Sequence, residues 1–207
     1  MARSLSIANI YSKKFKTIEF SNVWADAFGS PESNGAWLVW GPEKQGKTTF
    51  ALMLADVLTP ANKVLYVSAE EGTGKAFVEA CQRAGLDSSN KSLQFVEYTP
   101  LEELFERLNK RKSANIVFID NCTVYREELQ GGKLRELLHK YSSKLFVFLA
   151  HEERKEPYTS VAKMVRKLAK AIIYVEGLAV TISGRVPGGN LLIDQYKARL
   201  YHGENVD

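Results

Sequence analysis

Short apolar runs alternate with amphipathic segments along most of the chain, and this alternation predicts the order of its elements. Runs of five or six residues, such as AWLVW (36–40), KVLYVS (63–68) and NIVFID (115–120), are typical of buried strands. The intervening segments repeat their apolar residues at helical spacing, as in LEELFERLNKR (101–111). Strands that alternate with helices predict an α/β fold of three layers, in which helices cover both faces of a mainly parallel sheet.

The two ends of the chain depart from this alternation. Residues 15–20 alternate apolar and polar side chains, which predicts an edge strand within an N-terminal extension of residues 1–34. Near the other end, AVTISG (179–184) and NLLIDQY (190–196) flank a Pro-Gly-Gly turn and predict a C-terminal β-hairpin. Because no repeat or long linker interrupts residues 35–207, we expect them to form the core of a single domain.

The segment GPEKQGKTT fits the phosphate-binding pattern GxxxxGK[ST], between a strand that ends at Trp40 and a predicted helix. Backbone N–H groups of such a loop, together with the helix N-terminus, can bind phosphate oxygens. We expect Lys47 to reach the β and γ phosphates of ATP, Thr48 to bind Mg²⁺ and Thr49 to contact the α phosphate. The other interpretation is a strand-to-helix turn that binds nothing. The expected nucleotide-binding residues are Gly41, Pro42, Glu43, Lys44, Gln45, Gly46, Lys47, Thr48 and Thr49.

Acidic residues follow two of the predicted strands. Asp120 ends the run IVFID, where its side chain would emerge at the C-terminal edge of the sheet and help to hold Mg²⁺. It could also be an aspartate that only caps a strand-to-loop turn. Glu70 and Glu71 follow the run KVLYVS, where either could polarise a water molecule beside the γ phosphate. Both could equally be solvated carboxylates at the start of a helix.

These motifs together resemble the RecA-like P-loop ATPases, and more narrowly their RadA and DnaB branches. The resemblance covers about residues 16 to 203, and the segment YVSAEEG (66–72) is similar to the family segment that carries the catalytic glutamate. It therefore implies that Glu70 is the catalytic residue rather than Glu71. FVFLAHEERK (146–155) is similar to the strand that ends in a γ-phosphate sensor, which implies this role for His151. Without the resemblance, a lone histidine would be interpreted as structural.

The same resemblance extends to the C-terminal segment KARLYHG (197–203), which is similar to a KxRxxG pattern of the family. In ring-forming or filament-forming members, the two cations of this pattern reach the ATP of the neighbouring subunit. This implies a homo-oligomer in which Lys197 and Arg199 act in trans. The alternative is an exposed basic strand near the terminus. The spacing of Tyr201 and His202 departs from the pattern and leaves the register open.

A basic stripe follows the predicted sensor strand. In RecA-like proteins the loops after the metal-binding and sensor strands face DNA, and helical spacing here places cations on one side of VAKMVRKLAKA (161–171). The alternative is a solvated helix face. A second basic run, residues 107–112, is interpreted as a helix end stabilised by its dipole. The expected single-stranded DNA contacts are Arg154, Lys155, Lys163, Arg166, Lys167 and Lys170.

Composition narrows the class of protein without identifying a partner. The net charge of +4 over 207 residues is compatible with nucleic acid but too small to require it. Cys81 and Cys122 form no metal-ligand spacing, and no apolar run is long enough to cross a membrane, so we expect a cytoplasmic protein.

The leading hypothesis is therefore a Mg²⁺-dependent ATPase that acts on DNA in recombination or replication. The alternative is a RecA-fold ATP switch or signalling ATPase that acts on a protein partner. A small-molecule kinase would need an arginine-rich lid, and residues 121–132 contain only Arg126.

Overall fold

The computed structural model of the protein describes residues 4–203, which contain one mixed sheet with helices on both faces. Residues 1–3 of the predicted N-terminal extension and residues 204–207 of the predicted core lie outside the described residues. The strands are β1 (Gly35–Gly41), β2 (Val64–Ser68), β3 (Leu93–Glu97), β4 (Ile116–Asp120), β5 (Leu145–Glu153), β6 (Glu156–Pro157), β7 (Ala171–Glu176), β8 (Ala179–Gly184) and β9 (Gly189–Leu192).

The strand order is β3-β2-β4-β5-β1-β7-β8-β9, with β6 paired to the end of β5. The strands β3, β2, β4, β5, β1 and β7 run parallel to one another. Strands β8 and β9 continue the sheet beyond β7 in antiparallel orientation. The predicted fold class, a mainly parallel sheet between helices with a C-terminal hairpin, is confirmed. The parallel strands bring all their C-terminal ends to one edge, where the loops that follow them meet.

The helices pack against the sheet on two sides and build two separate hydrophobic clusters. Within residues 4–203, no helix is long and apolar enough to span a bilayer. The helices are α1 (Ile7–Tyr11), α2 (Asn22–Phe28), α3 (Lys47–Val57), α4 (Lys75–Arg83), α5 (Leu101–Leu108), α6 (Arg126–Leu129), α7 (Lys133–Lys140), α8 (Ser160–Leu168) and α9 (Gln195–His202).

The predicted edge strand at residues 15–20 is wrong, because this segment forms only an isolated bridge between Thr17 and Glu32. The backbone N–H of Ile18 donates to the carbonyl oxygen of Pro31 at 2.9 Å. Proline lacks an N–H group and cannot extend such a ladder. Two backbone hydrogen bonds, one on each side of the bridge, and the buried side chain of Ile18 hold the segment.

Stacked aromatic rings attach this N-terminal segment to the sheet. Phe28 lies 5.2 Å from Trp37 of β1 and 5.0 Å from Phe20, measured between ring centroids. Trp24 extends the stack to Phe50 of α3 at 5.6 Å. The segment therefore shares one core with β1 and with the helix that follows it.

The C-terminal segment forms helix α9, so the alternative interpretation of Lys197 and Arg199, an exposed basic strand, is wrong. The carboxylate of Asp194 accepts a hydrogen bond from the backbone N–H of Lys197 at 3.1 Å. This contact is an N-cap, which stabilises the first turn of a helix. Strand β9 therefore ends at Leu192, two residues before the cap that starts α9.

The aromatic stack leads to a stability prediction. Phe28 is 1% exposed, so Phe28→Ala should leave a cavity and lower the free energy of unfolding by about 3–5 kcal/mol. Tyr11→Ala is the control, since Tyr11 is 84% exposed and its loss should change stability by less than about 0.5 kcal/mol. Urea unfolding followed by tryptophan fluorescence measures both. Equal effects of the two substitutions would contradict the buried packing of Phe28.

Candidate active site

The phosphate-binding loop begins where β1 ends, at a position that only glycine can occupy. Gly41 has φ of +149°, and an added Cβ would lie 2.0 Å from the carbonyl oxygen of Val175 on β7. Gly46 has φ of +104°, and a Cβ there would lie 2.6 Å from Leu178. The loop glycines therefore allow both the backbone turn and its close packing against β7 and the turn that follows it.

Gln45 ties this loop to the turn between β7 and β8. Its side-chain oxygen accepts a hydrogen bond from the N–H of Gly177 at 2.8 Å, and its carbonyl oxygen accepts one from the N–H of Leu178 at 3.2 Å. These two bonds hold the loop against the turn between β7 and β8. Sequence reasoning included Gln45 only as a member of the motif and missed this supporting turn.

Lys47 begins α3 and is 7% exposed. Its ammonium group donates a hydrogen bond to the carbonyl oxygen of Pro42 at 2.6 Å, so the side chain curls back across the loop. Burial lowers the pKa of Lys47, although the nearby Asp120 carboxylate opposes this shift. A buried cation beside several backbone N–H groups is suited to bind an anion.

Asp120 accepts two hydrogen bonds at one carboxylate oxygen. The hydroxyl of Tyr66 donates at 2.6 Å, and the hydroxyl of Thr48 donates at 3.2 Å. Burial raises the pKa of Asp120 to about 6, while the two hydrogen bonds act in the opposite direction. Sequence reasoning missed Tyr66; the available signal was a hydroxyl-bearing ring within an otherwise apolar strand. In the structure, Tyr66 pairs in register with Phe118, two residues before Asp120.

Thr48 and Asp120 are suited to bind Mg²⁺ together. Their oxygens lie 3.2 Å apart at the end of the phosphate-binding loop, and both are hard oxygen donors. No group of three or more His, Cys, Asp or Glu side chains within residues 4–203 could hold a metal by itself. Mg²⁺ is commonly bound by one or two protein groups together with water and substrate phosphates.

Glu70 and His151 form a contact across the mouth of the cleft. The Nε2 atom of His151 lies 3.0 Å from each carboxylate oxygen of Glu70. His151 pairs in register with Gly41, because β5 lies beside β1, and the Glu70 side chain remains 45% exposed. The histidine therefore orients the carboxylate and leaves it open to solvent.

These groups border a single cleft of about 620 Å³, within the range of small-molecule sites. Lys47, Thr48, Glu70, Asp120 and His151 all line it, so the structure brings together the residues that were predicted from separate motifs. Other loop residues at its border are Glu43, Lys44, Gly46 and Thr49.

Helix α9 places its two predicted cations differently. Lys197 borders the cleft of its own chain and forms an ion pair with Asp194 at 3.0 Å. Arg199 is exposed and does not border this cleft. The role of both in a neighbouring subunit stays a prediction.

The predicted basic stripe is not continuous, because α8 ends at Leu168. Lys170 lies beyond the helix, where it pairs with Glu32 and donates to Asn34 at 2.6 Å. Its expected place on one helical face was wrong, since the chain must straighten there to enter β7.

Arg166 is also engaged within the chain. Its guanidinium lies 4.8 Å from the ring centre of Trp40 and 3.1 Å from a carboxylate oxygen of Glu156. The exposed cations that remain on α8 are Lys163 and Lys167.

Arg154 and Lys155 form the tip of the β5–β6 hairpin. Both are exposed and have positive φ angles, 53° and 62°. Two consecutive positive φ values are typical of a tight hairpin turn, in which glycine or asparagine is usually favoured. The turn therefore presents two cations at the end of the strand that carries His151.

Comparison with known proteins gave no matching family profile. The DNA repair protein RadA of Aquifex aeolicus (strain VF5) is 25% identical to the chain over 150 residues, which are 68% of this chain and 33% of RadA. The chain thus spans about a third of the length of that relative.

Among solved structures, the flagellar accessory protein FlaH of Methanocaldococcus jannaschii has a similar fold. The TM-score is 0.63 with 17% sequence identity, over 86% of this chain and 93% of FlaH. The fold and these two likenesses confirm the expected resemblance to RecA-like P-loop proteins.

The pKa of Asp120 leads to a prediction on stability. Because its folded-state value of about 6 lies above the ordinary value near 4, its contribution to stability is present below about pH 4 and is lost as the pH rises through 6. Asp120→Asn keeps an oxygen for both hydroxyl groups but removes the charge. In EDTA it should raise the free energy of unfolding by up to about 3 kcal/mol at about pH 8, and change it little at about pH 4.

Urea unfolding at the two pH values measures this difference, and the exposed Asp26→Asn is the matched control. A gain of the same size at both pH values, or a loss at about pH 8, would contradict the prediction.

Proposed function

We propose that this RecA-like P-loop protein binds ATP with Mg²⁺ and hydrolyses it in the cleft at the C-terminal edge of the sheet. One observation carries the proposal: the buried Lys47, the Thr48–Asp120 pair and the Glu70–His151 pair border the same cleft. A phosphate-binding loop alone would support only nucleotide binding.

The roles of the residues follow from their charge and position. Lys47 would leave the Pro42 carbonyl and place its ammonium group on the β and γ phosphates. Thr48, and Asp120 through a water molecule, would hold Mg²⁺, which neutralises charge on the phosphate oxygens when bound. The hydroxyl of Tyr66 keeps the Asp120 carboxylate turned toward Thr48.

Glu70 would act as the general base. A water molecule attacks the γ phosphorus in line, its proton passes to the Glu70 carboxylate, and the bond from the γ phosphorus to the β–γ bridging oxygen of ADP breaks. His151 holds the carboxylate through Nε2 in the orientation that this proton transfer needs. The same contact would report the state of the γ phosphate to β5.

Substitution of two adjacent glutamates tests this assignment. Glu70→Gln should lower the rate of ATP hydrolysis by about 10²–10⁴-fold and leave ATP binding in place, because the amide cannot accept the proton. Glu71→Gln is the matched control, since it makes the same chemical change one residue away and should stay within about twofold.

Phosphate release measures turnover, and a fluorescent ATP analogue measures binding, with Lys47→Ala as the variant expected to lose binding. Equal losses in the two glutamine variants would overturn the assignment to Glu70. Absence of turnover in the unmodified protein with Mg²⁺ would overturn the hydrolytic function.

We further propose that DNA is the substrate on which this ATPase acts, in recombination or replication. The hairpin tip of Arg154 and Lys155 lies three or four residues beyond His151, in the turn after the same strand. Lys163 and Lys167 add exposed charge on α8. The likeness to a protein described as a DNA repair protein supports this direction. Arg166 and Lys170 are left out of the contact because each already has a partner.

We also propose that the protein forms a homo-oligomer, a ring or a filament. Arg199 is exposed on α9 outside the cleft of its own chain, which suits a contact with the nucleotide of a neighbour. Lys197 borders the cleft of its own chain, and this position favours a contribution to that site over the predicted contact in trans.

Single-stranded DNA should raise the rate of ATP hydrolysis through the hairpin tip. Arg154→Glu with Lys155→Glu should raise the DNA concentration needed for half-maximal stimulation by about tenfold or more, because two phosphate contacts become repulsive. The matched control reverses the exposed Lys133 and Arg135 on α7, which gives the same net charge.

The rate of ATP hydrolysis is measured against oligonucleotide concentration for the hairpin variant and for the control variant. If DNA leaves the turnover of the unmodified protein unchanged, the DNA proposal fails while the hydrolytic function stands.

A further inference from the structure

A second cleft, of about 480 Å³, lies at the N-terminal edge of the sheet. Five basic side chains line it, and all five are exposed: Lys63, Lys91, Arg107, Lys110 and Lys112. None of the residues that line it is acidic.

The chain assembles this cleft from three separate segments. Lys63 and Lys91 precede β2 and β3. The other three cations, Arg107, Lys110 and Lys112, lie in one stretch that runs from the last turn of α5 into the loop before β4. The predicted helix end at residues 107–112, stabilised by its dipole, accounts for this stretch but not for Lys63 and Lys91. Because β2 is five residues long, the cleft is about 15 Å from the candidate active site at the other end of that strand.

The charge of the cleft is not neutralised by the protein. Its five cations exceed the net charge of +4 of the whole chain. Within residues 4–203, none of them forms an ion pair. Exposed like charges repel one another, so their gathering in one place favours an anionic ligand.

A sixth cation lies beneath the rim of the cleft. Lys144 is half-buried and donates hydrogen bonds to Ser113 at 3.0 Å and to the carbonyl oxygen of Ala114 at 2.6 Å, and both of these residues line the cleft. Burial lowers the pKa of Lys144, as expected for a cation with little water around it. Its contacts fix the rim that carries Lys112.

The cleft is elongated rather than confined. It continues into a second hollow of about 430 Å³, and the two share Lys63, Ser92, Lys112 and Ser113. The second hollow adds the polar side chains of Thr59, Asn62 and Asn115. Several cations spaced along a polar groove suit a chain of phosphates better than a single anion.

We infer that this groove binds the sugar–phosphate backbone of a nucleic acid without contacting the bases. No aromatic ring lines either hollow, so the groove lacks the stacking contacts that single-strand binding usually employs and is suited to a duplex. The inference goes beyond the proposed function, because the groove lies at the opposite edge of the sheet and binding there needs no nucleotide.

The test is binding of a fluorescein-labelled DNA duplex of about 20 base pairs, measured by anisotropy without nucleotide between about 50 and 200 mM salt. Lys110→Glu with Lys112→Glu should lower the affinity by about tenfold or more and lower the slope of log affinity against log salt by about 2. The control reverses Lys133 and Arg135, which turns two exposed cations into two anions elsewhere and should leave both quantities within about twofold.

Equal losses in the groove and control variants would show that only net charge matters and would overturn the inference, as would absence of binding by the unmodified protein. Thermal unfolding of each variant checks its fold, and Lys110→Gln with Lys112→Gln provides a milder pair that should lose affinity in the same direction. Tighter binding of polyglutamate than of the duplex would assign the groove to an acidic protein and overturn its assignment to nucleic acid. ATP turnover without DNA tests the hydrolytic function separately.

Discussion

The close approach of β1 and β7 at Gly41 is the constraint on which the candidate active site depends. The carbonyl oxygen of Val175 lies where the side chain of any other residue would begin, so the strand can turn into the phosphate-binding loop only at a glycine. From there Gln45 fastens the loop to the β7–β8 turn, and Lys47 starts α3 with its side chain folded across the loop. The loop is thus shaped by packing before any ligand is considered.

The parts of the structure that could be predicted are those whose signals are local and strong. The apolar runs that end at Trp40, Ser68 and Asp120 become buried strands with the expected direction, because a strand buried on both faces needs a nearly continuous apolar sequence. The parallel arrangement then forces the residues that follow these strands to one edge. This is why Glu70 and Asp120, separated by fifty residues of chain, border one cleft.

The predictions that failed concern segments in which a local pattern competes with contacts made elsewhere. Residues 15–20 alternate like a strand, but Pro31 cannot continue a ladder with them, and Phe20 joins the aromatic stack. The C-terminal helix follows from a cap at Asp194, a signal present in the sequence but outweighed by the expected hairpin. Lys170 could not be placed from periodicity, because its partner Glu32 is distant in sequence.

Strand β5 joins two features that would otherwise be unrelated. His151 contacts the carboxylate of Glu70, and three residues later the same strand turns at Arg154 and Lys155. Thermodynamic linkage then sets a symmetric condition: if nucleotide changes the affinity of the hairpin for a ligand by some factor, that ligand must change the affinity for nucleotide by the same factor.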